Sequence, residues 1–164
     1  MSDQTLLTLL DEIRGKTLAV LEGVNEEESR WVPSGLQNSI RWHAGHCYIV
    51  VEWLCADAVG IEPVAPDGWF ELFSWESRPQ TVQADCWPAL ALIAEQLISQ
   101  RERLLFTFSR LTEAQLDVAL PARRHQSVRR EIVHALHDEA CHCGEIWLLR
   151  KLLTRRSGGG TRRS

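Results

Sequence analysis

The run His134-Ala-Leu-His137-Asp138-Glu139-Ala-Cys141-His142-Cys143-Gly144-Glu145 lies in the last long helical stretch of a 164-residue chain. At ~100° per residue, His134, Asp138 and His142 stack on one helical face, with Cys141 and Glu145 beside them. Leu149 continues that face, which therefore looks into a core. Ionisable groups buried there are costly unless they pair or hold a metal. An earlier segment supplies a matching imidazole, because His46 sits on an apolar stripe between Trp42 and Trp53. Two helices that point imidazoles and a carboxylate at one interior fit a divalent metal site.

Four long amphipathic segments carry the chain. The first spans residues 3–21, with Leu6, Leu10, Ile13, Thr17 and Leu21 on one stripe and Gly23 past its end. Asn25 caps a single turn that ends near Pro33. The second long helix starts at Asn38 or Ser39 and runs to Val59, before Gly60. Asp85 is positioned to cap the third, with Pro88 in its first turn, and this helix carries Leu90, Ile93, Leu97, Leu104 and Phe108. Ser127 opens the fourth, which reaches Leu153. No strand alternation is visible, so the expected fold is an all-α four-helix bundle occupying residues 1–154, followed by a flexible basic tail over 155–164. The connection from Gly60 to Ala84 holds three prolines and Trp69, Phe70, Phe73 and Trp75. It is long enough to run the length of the bundle, which lets the second and third helices be parallel. Its aromatic residues are expected to fold over one end.

Hydrophobic residues make up 45% and charged residues 24%, which suits a globular domain of this length. A net charge of -4 argues against general nucleic-acid binding, and apolar runs fall short of the ~18 residues of a membrane span. The first residues lack the basic and apolar pattern of a signal peptide, so the cytoplasm is the default expectation. Five cysteines in no framework spacing read as reduced thiols.

Asp138 and His142 are one turn apart, as paired helical metal ligands are, and His46 completes a set of two imidazoles and one carboxylate. Such a set leaves coordination positions open, as catalytic sites do. Zinc is the first expectation, with nickel or iron as alternatives. His134, Glu145 and Arg150 are candidates to support the site, and Trp42, Trp53 and Trp69 to wall a substrate pocket. The blander alternative is that these are satisfied core histidines or unrelated surface groups. His43 lies ~60° from His46 and reads as a surface or supporting residue, and His137 points outward. His125, beside Arg123 and Arg124, reads as solvated, and Cys141 as a subsidiary candidate ligand.

The segment Asn38-Ser-Ile-Arg-Trp42-His-Ala-Gly-His46, followed by Glu52-Trp53, resembles the second helix of DinB-like proteins. That superfamily includes mycothiol- and bacillithiol-dependent transferases. His142-Cys-Gly-Glu145-Ile-Trp-Leu-Leu-Arg150 resembles the same family's fourth-helix signature, and the likeness covers nearly the whole chain. It implies an up-down-down-up bundle, and a divalent metal held by one histidine of the second helix and two residues four apart on the fourth. By position these are His46, Asp138 and His142. The commonest pattern has histidine or glutamate where this chain has Asp138, which is a methylene shorter than glutamate, so the backbone must come closer or a water intervene.

The resemblance implies a thiol transferase, with a low-molecular-weight thiol as co-substrate and a small electrophile as substrate. Metal-assisted hydrolysis, with His134 or Glu145 moving the proton, is the first rival. A non-catalytic metal-binding stress protein is the second. Nucleic-acid binding through the arginine tail is weaker, since basic residues also suit a helix C-terminus. Neither a nucleic acid nor a membrane is expected as partner, and a homodimer is compatible with the family.

Overall fold

The computed structural model describes residues 3–120 and 126–158. His125, Arg123 and Arg124, and the end of the basic tail over 159–164, lie outside the described residues. Seven α-helices are present among those described, namely α1 (Gln4–Leu21), α2 (Glu26–Arg30), α3 (Ile40–Val59), α4 (Trp69–Phe73), α5 (Leu90–Ser109), α6 (Glu113–Leu116) and α7 (Val128–Gly158). The long helices α1, α3, α5 and α7 form the bundle. No described helix is long and apolar enough to cross a membrane.

Local chemistry sets most helix ends. The Asp3 side chain accepts from the Leu6 N–H, and the Ser39 hydroxyl accepts from that of Trp42. Asn25 and Glu28 each accept the other's backbone N–H, closing a capping box around α2. Gly60 takes φ 71° at the end of α3, a left-handed value that suits glycine.

Two sequence expectations need correction, and one small element is added to the all-α bundle. Asp85 does not cap the third long helix. Proline disfavours helical backbone in the residue before it, so Trp87 is extended and α5 begins only at Leu90. Its cap is remote instead, since Glu26 Oε1 accepts from the Leu90 N–H at 2.7 Å. Helix α7 runs past Leu153 to Gly158, so Arg155 and Arg156 are helical. A short antiparallel ladder pairs Ala119 with Ser127 and Leu120 with Gln126, too brief for its alternation to be read.

Side-chain pairings fix the helix directions. Arg14 meets Glu139 while Arg129 meets Asp3, so α1 and α7 are parallel. Arg14 also reaches Leu97 and Gln100 while Asp11 meets Arg101, which sets α5 antiparallel to α1. His46 and Cys47 face Asp138 and Glu139 while His43 faces His142, which sets α3 antiparallel to α7. The order is up-down-down-up, and the crossover joins the parallel pair α3 and α5.

Two apolar clusters fill the bundle. One gathers Val20, Ile40, Tyr48, Phe73, Ile93, Leu97 and Ile146, and the other Leu10, Val51, Cys55, Leu104, Phe108, Ile132 and Leu136. On every long helix a buried polar residue falls between the two sets: Arg14, Glu52, Gln100 and Glu139. Arg14 Nε donates to Glu139 Oε1 at 2.7 Å and Nη2 to Oε2 at 2.9 Å, a bidentate pair. Gln100 accepts from Arg14 and donates to Glu52 Oε2 at 2.7 Å, so the layer links all four helices.

The crossover packs onto α3 through Gly45. A Cβ there would lie 2.3 Å from the Phe73 ring, so only glycine allows this approach. Gly45→Ala should destabilise the fold by about 1–3 kcal/mol through overpacking, read by urea unfolding, and an unchanged midpoint would contradict the contact. Glu139→Ala, which strands a buried guanidinium, should cost about 3–5 kcal/mol in the same assay.

Candidate metal centre

His46 lies on the inner face of α3, 5% exposed. Its Nδ1 is 2.6 Å from the Phe73 carbonyl oxygen, which can only accept, so this nitrogen carries the proton. The lone pair of Nε2 is then free and faces α7. Asp138 and His142, one turn apart on α7, meet it. Asp138 Oδ2 is 3.6 Å from His46 Nε2 and 3.7 Å from His142 Nε2. All three donor atoms lie within 4.8 Å of one another.

These separations exceed hydrogen-bond length, and Asp138 Oδ2 is buried with no hydrogen-bond partner. An orphaned buried carboxylate oxygen is costly. Two ligands at 2.0–2.2 Å from one ion, subtending tetrahedral angles or slightly wider, lie about 3.3–3.7 Å apart. The donor set therefore fits a divalent ion, and each imidazole has the support such ligands use. The Phe73 carbonyl holds His46, and Glu145 Oε2 lies 2.5 Å from His142 Nδ1. Burial and the neighbouring His142 pull the His46 pKa down, against the Phe73 hydrogen bond and Asp138, which raise it. Its neutral, ligating form is thereby favoured.

The register on α7 is the one helical geometry requires. Asp138 faces His46, while His137 is exposed and meets the Cys141 sulfur through Nε2 at 3.9 Å. Cys141 is itself exposed and is not among the clustered donors. His134 is half-buried one turn before Asp138.

Of the two roles the sequence left open for His43, burial at 6% exposure rules out the surface one. Its Nδ1 lies 2.9 Å from His142 Nδ1 and 3.0 Å from Glu145 Oε2. Desolvation, followed by the neighbouring His142 and His46, pushes its pKa down to about 3. His43, His142 and Glu145 form a second donor cluster that shares one imidazole with the first. Its separations are those of hydrogen bonds rather than of ligands around an ion. The His43–His46 spacing, one helical turn, was the available signal.

Trp42 walls the site. Its ring stacks on His46 with centroids 4.5 Å apart and an interplanar angle of 17°, and its edge meets His142. Its Nε1 donates to Ser77 in the crossover at 2.9 Å. Trp69 is one layer back, edge-on to Tyr48 and Phe73. Trp53 stands apart at 39% exposure against Phe70. Two turns separate it from His46, enough to carry it past the site. Trp75, one of the aromatics expected to fold over one end of the bundle, is 55% exposed and packs on Phe70. Arg150 is engaged elsewhere, with Nη1 donating to the Val20 carbonyl at 2.9 Å in the last turn of α1.

The fold is shared with solved structures of low identity. A conserved protein from Enterococcus faecalis matches with a TM-score of 0.75 and 17% identity, over 93% of this chain and 97% of that one. A protein from Streptococcus pneumoniae matches with a TM-score of 0.64 and 13% identity, over 92% of this chain and 91% of its own. No curated protein matches this chain. The profile of the DinB superfamily matches residues 9–146, and the chain belongs to that superfamily.

Proposed function

We propose that the chain binds one divalent metal ion through His46 Nε2, the Asp138 carboxylate and His142 Nε2, and acts as a metal-dependent thiol transferase on a small electrophile. The observation that carries the metal reading is the buried, unpartnered Asp138 oxygen set 3.6 and 3.7 Å from two imidazole nitrogens. When bound, the ion would acidify a thiol at an open coordination position, making the nucleophilic form available near neutral pH.

The residues have distinct tasks in this reading. The Phe73 carbonyl and the Glu145 carboxylate hold the two imidazoles with their Nε2 lone pairs turned inward. Trp42, tied to Ser77, covers His46 and excludes water from that side. Glu145 touches both His142 and His43 yet is more than half exposed, which supports a role in passing a proton between the site and solvent. Transfer is favoured over hydrolysis by the family's known thiol-dependent members. Zinc suits the donor set best, since tetrahedral nitrogen and oxygen coordination is its habit.

Purified wild-type protein should carry about one divalent ion per chain, and His46→Ala, Asp138→Ala and His142→Ala should each lose it, while His137→Ala keeps it. Loss in the His137 variant with retention in the Asp138 variant would overturn the assignment. With a chlorodinitrobenzene electrophile and a panel of low-molecular-weight thiols, the metal-loaded protein should accelerate thiol consumption at least ~10-fold over the His142→Ala variant. Turnover of an ester or amide without thiol dependence would favour the hydrolase instead.

A further inference from the structure

The segment between α2 and α3 and the last part of the crossover line a cavity of about 310 Å³. Leu36, Val82 and Trp87 supply apolar wall. Its charged lining residues are Arg30 and Arg41, and no acidic residue lines it. Ser39 and Arg41 lie at the N-terminal end of the 20-residue helix α3, where the backbone dipole favours negative charge.

Arg41 is only 1% exposed. Its Nε donates to the Ser29 hydroxyl at 3.1 Å, and its Nη2 to Ser29, to the Glu26 carbonyl and to the Glu26 carboxylate. Nη1 is buried and has no acceptor. Glu26 also lies 3.8 Å from Arg30 Nη2, and its other oxygen is committed to the Leu90 N–H. Two guanidinium-bearing residues of the cavity wall thus share one carboxylate, which leaves a net positive charge there, and Arg41 keeps one buried donor unmet. A buried guanidinium donor without an acceptor is costly, and an anionic ligand relieves that cost.

We propose that this cavity binds a small organic acid, with its carboxylate on Arg41 and Arg30 and its apolar body against Leu36, Val82 and Trp87. The size suits a ligand of one ring and a short chain. None of the metal centre's three donors lines the cavity. The two are nonetheless neighbours, because the Trp87 ring meets that of Phe73 with centroids 5.5 Å apart, and the Phe73 carbonyl holds His46.

Calorimetric titration of the full chain with 4-phenylbutyrate and with its neutral amide tests this. The acid should bind saturably, and the amide at least ~10-fold more weakly, because it leaves the guanidinium charge unmatched. Arg30→Gln should weaken the acid roughly 3- to 10-fold by removing one of two cations. Ala84→Trp, at the cavity wall, should abolish binding by filling the space. Arg41→Gln should also abolish it, but Arg41 supports α2, so the other two variants carry the test if that one fails to fold. His46→Ala should bind the acid like wild type, which separates this cavity from the metal centre and from the reading of its function. Equal binding of acid and amide, binding that survives Ala84→Trp, loss in His46→Ala, or no saturable binding would each overturn the proposal.

Discussion

The bidentate ion pair between Arg14 and Glu139 is the constraint on which the rest of the structure depends. Both side chains are fully buried, between the two apolar clusters. Buried charges are tolerated only when paired and hydrogen-bonded, and Arg14 places every guanidinium nitrogen on an acceptor, on Glu139, Leu97 or Gln100. Burial is the largest single influence and lowers its pKa, but the opposing influences, led by the charge and hydrogen bonds of Glu139, make the net shift upward, so the guanidinium stays charged. The pair fixes the rotation of α7. With Glu139 turned to α1, Asp138 is set ~100° around the helix toward α3, where His46 meets it. The cluster of His46, Asp138 and His142 is thus positioned by a salt bridge that contributes no donor to it.

The crossover is a clamp on α3 as well as a connection. Its Phe73 carbonyl orients His46, its Ser77 holds Trp42, and the Val64 N–H donates to Glu52 Oε1 at 2.8 Å. Glu52 in turn accepts from Gln100 and Arg103, so the crossover is hydrogen-bonded into the same polar layer. Gly45 is the point where these supports converge, since the absent side chain lets the Phe73 ring lie against the helix. A long connection rich in aromatic rings therefore acts on the site largely through backbone groups. Its exposed Trp75 takes no part in the contacts around His46.

What was legible in the sequence follows from range. The caps at Asn25 and Ser39 use partners three residues away, so the local sequence displays them. The inward stacking of Asp138 and His142 follows from the helical period. Remote partners were hidden. Arg14 falls on the stripe of Leu10 and Thr17, but a charge there reads as an exception until Glu139 is seen opposite. The cap of α5 comes from Glu26, sixty-four residues upstream, while the adjacent Asp85 looked the better candidate. His43 lies ~60° from His46, an angle at the margin of a buried face, and only the neighbouring α7 decides which side of that margin it takes. Arg150, read as a candidate to support the site, is held by a carbonyl of α1 that no pattern in its own helix could reveal.

The central claim is that two imidazoles and one carboxylate, with no sulfur, hold the ion. X-ray absorption spectroscopy on zinc-loaded protein tests this most directly. Nitrogen and oxygen scatterers at about 2.0–2.2 Å, with the outer-shell signature of two imidazole rings, are the result this account predicts. A sulfur scatterer at about 2.3 Å, from Cys141 or Cys143, or the signature of a single imidazole, would contradict it.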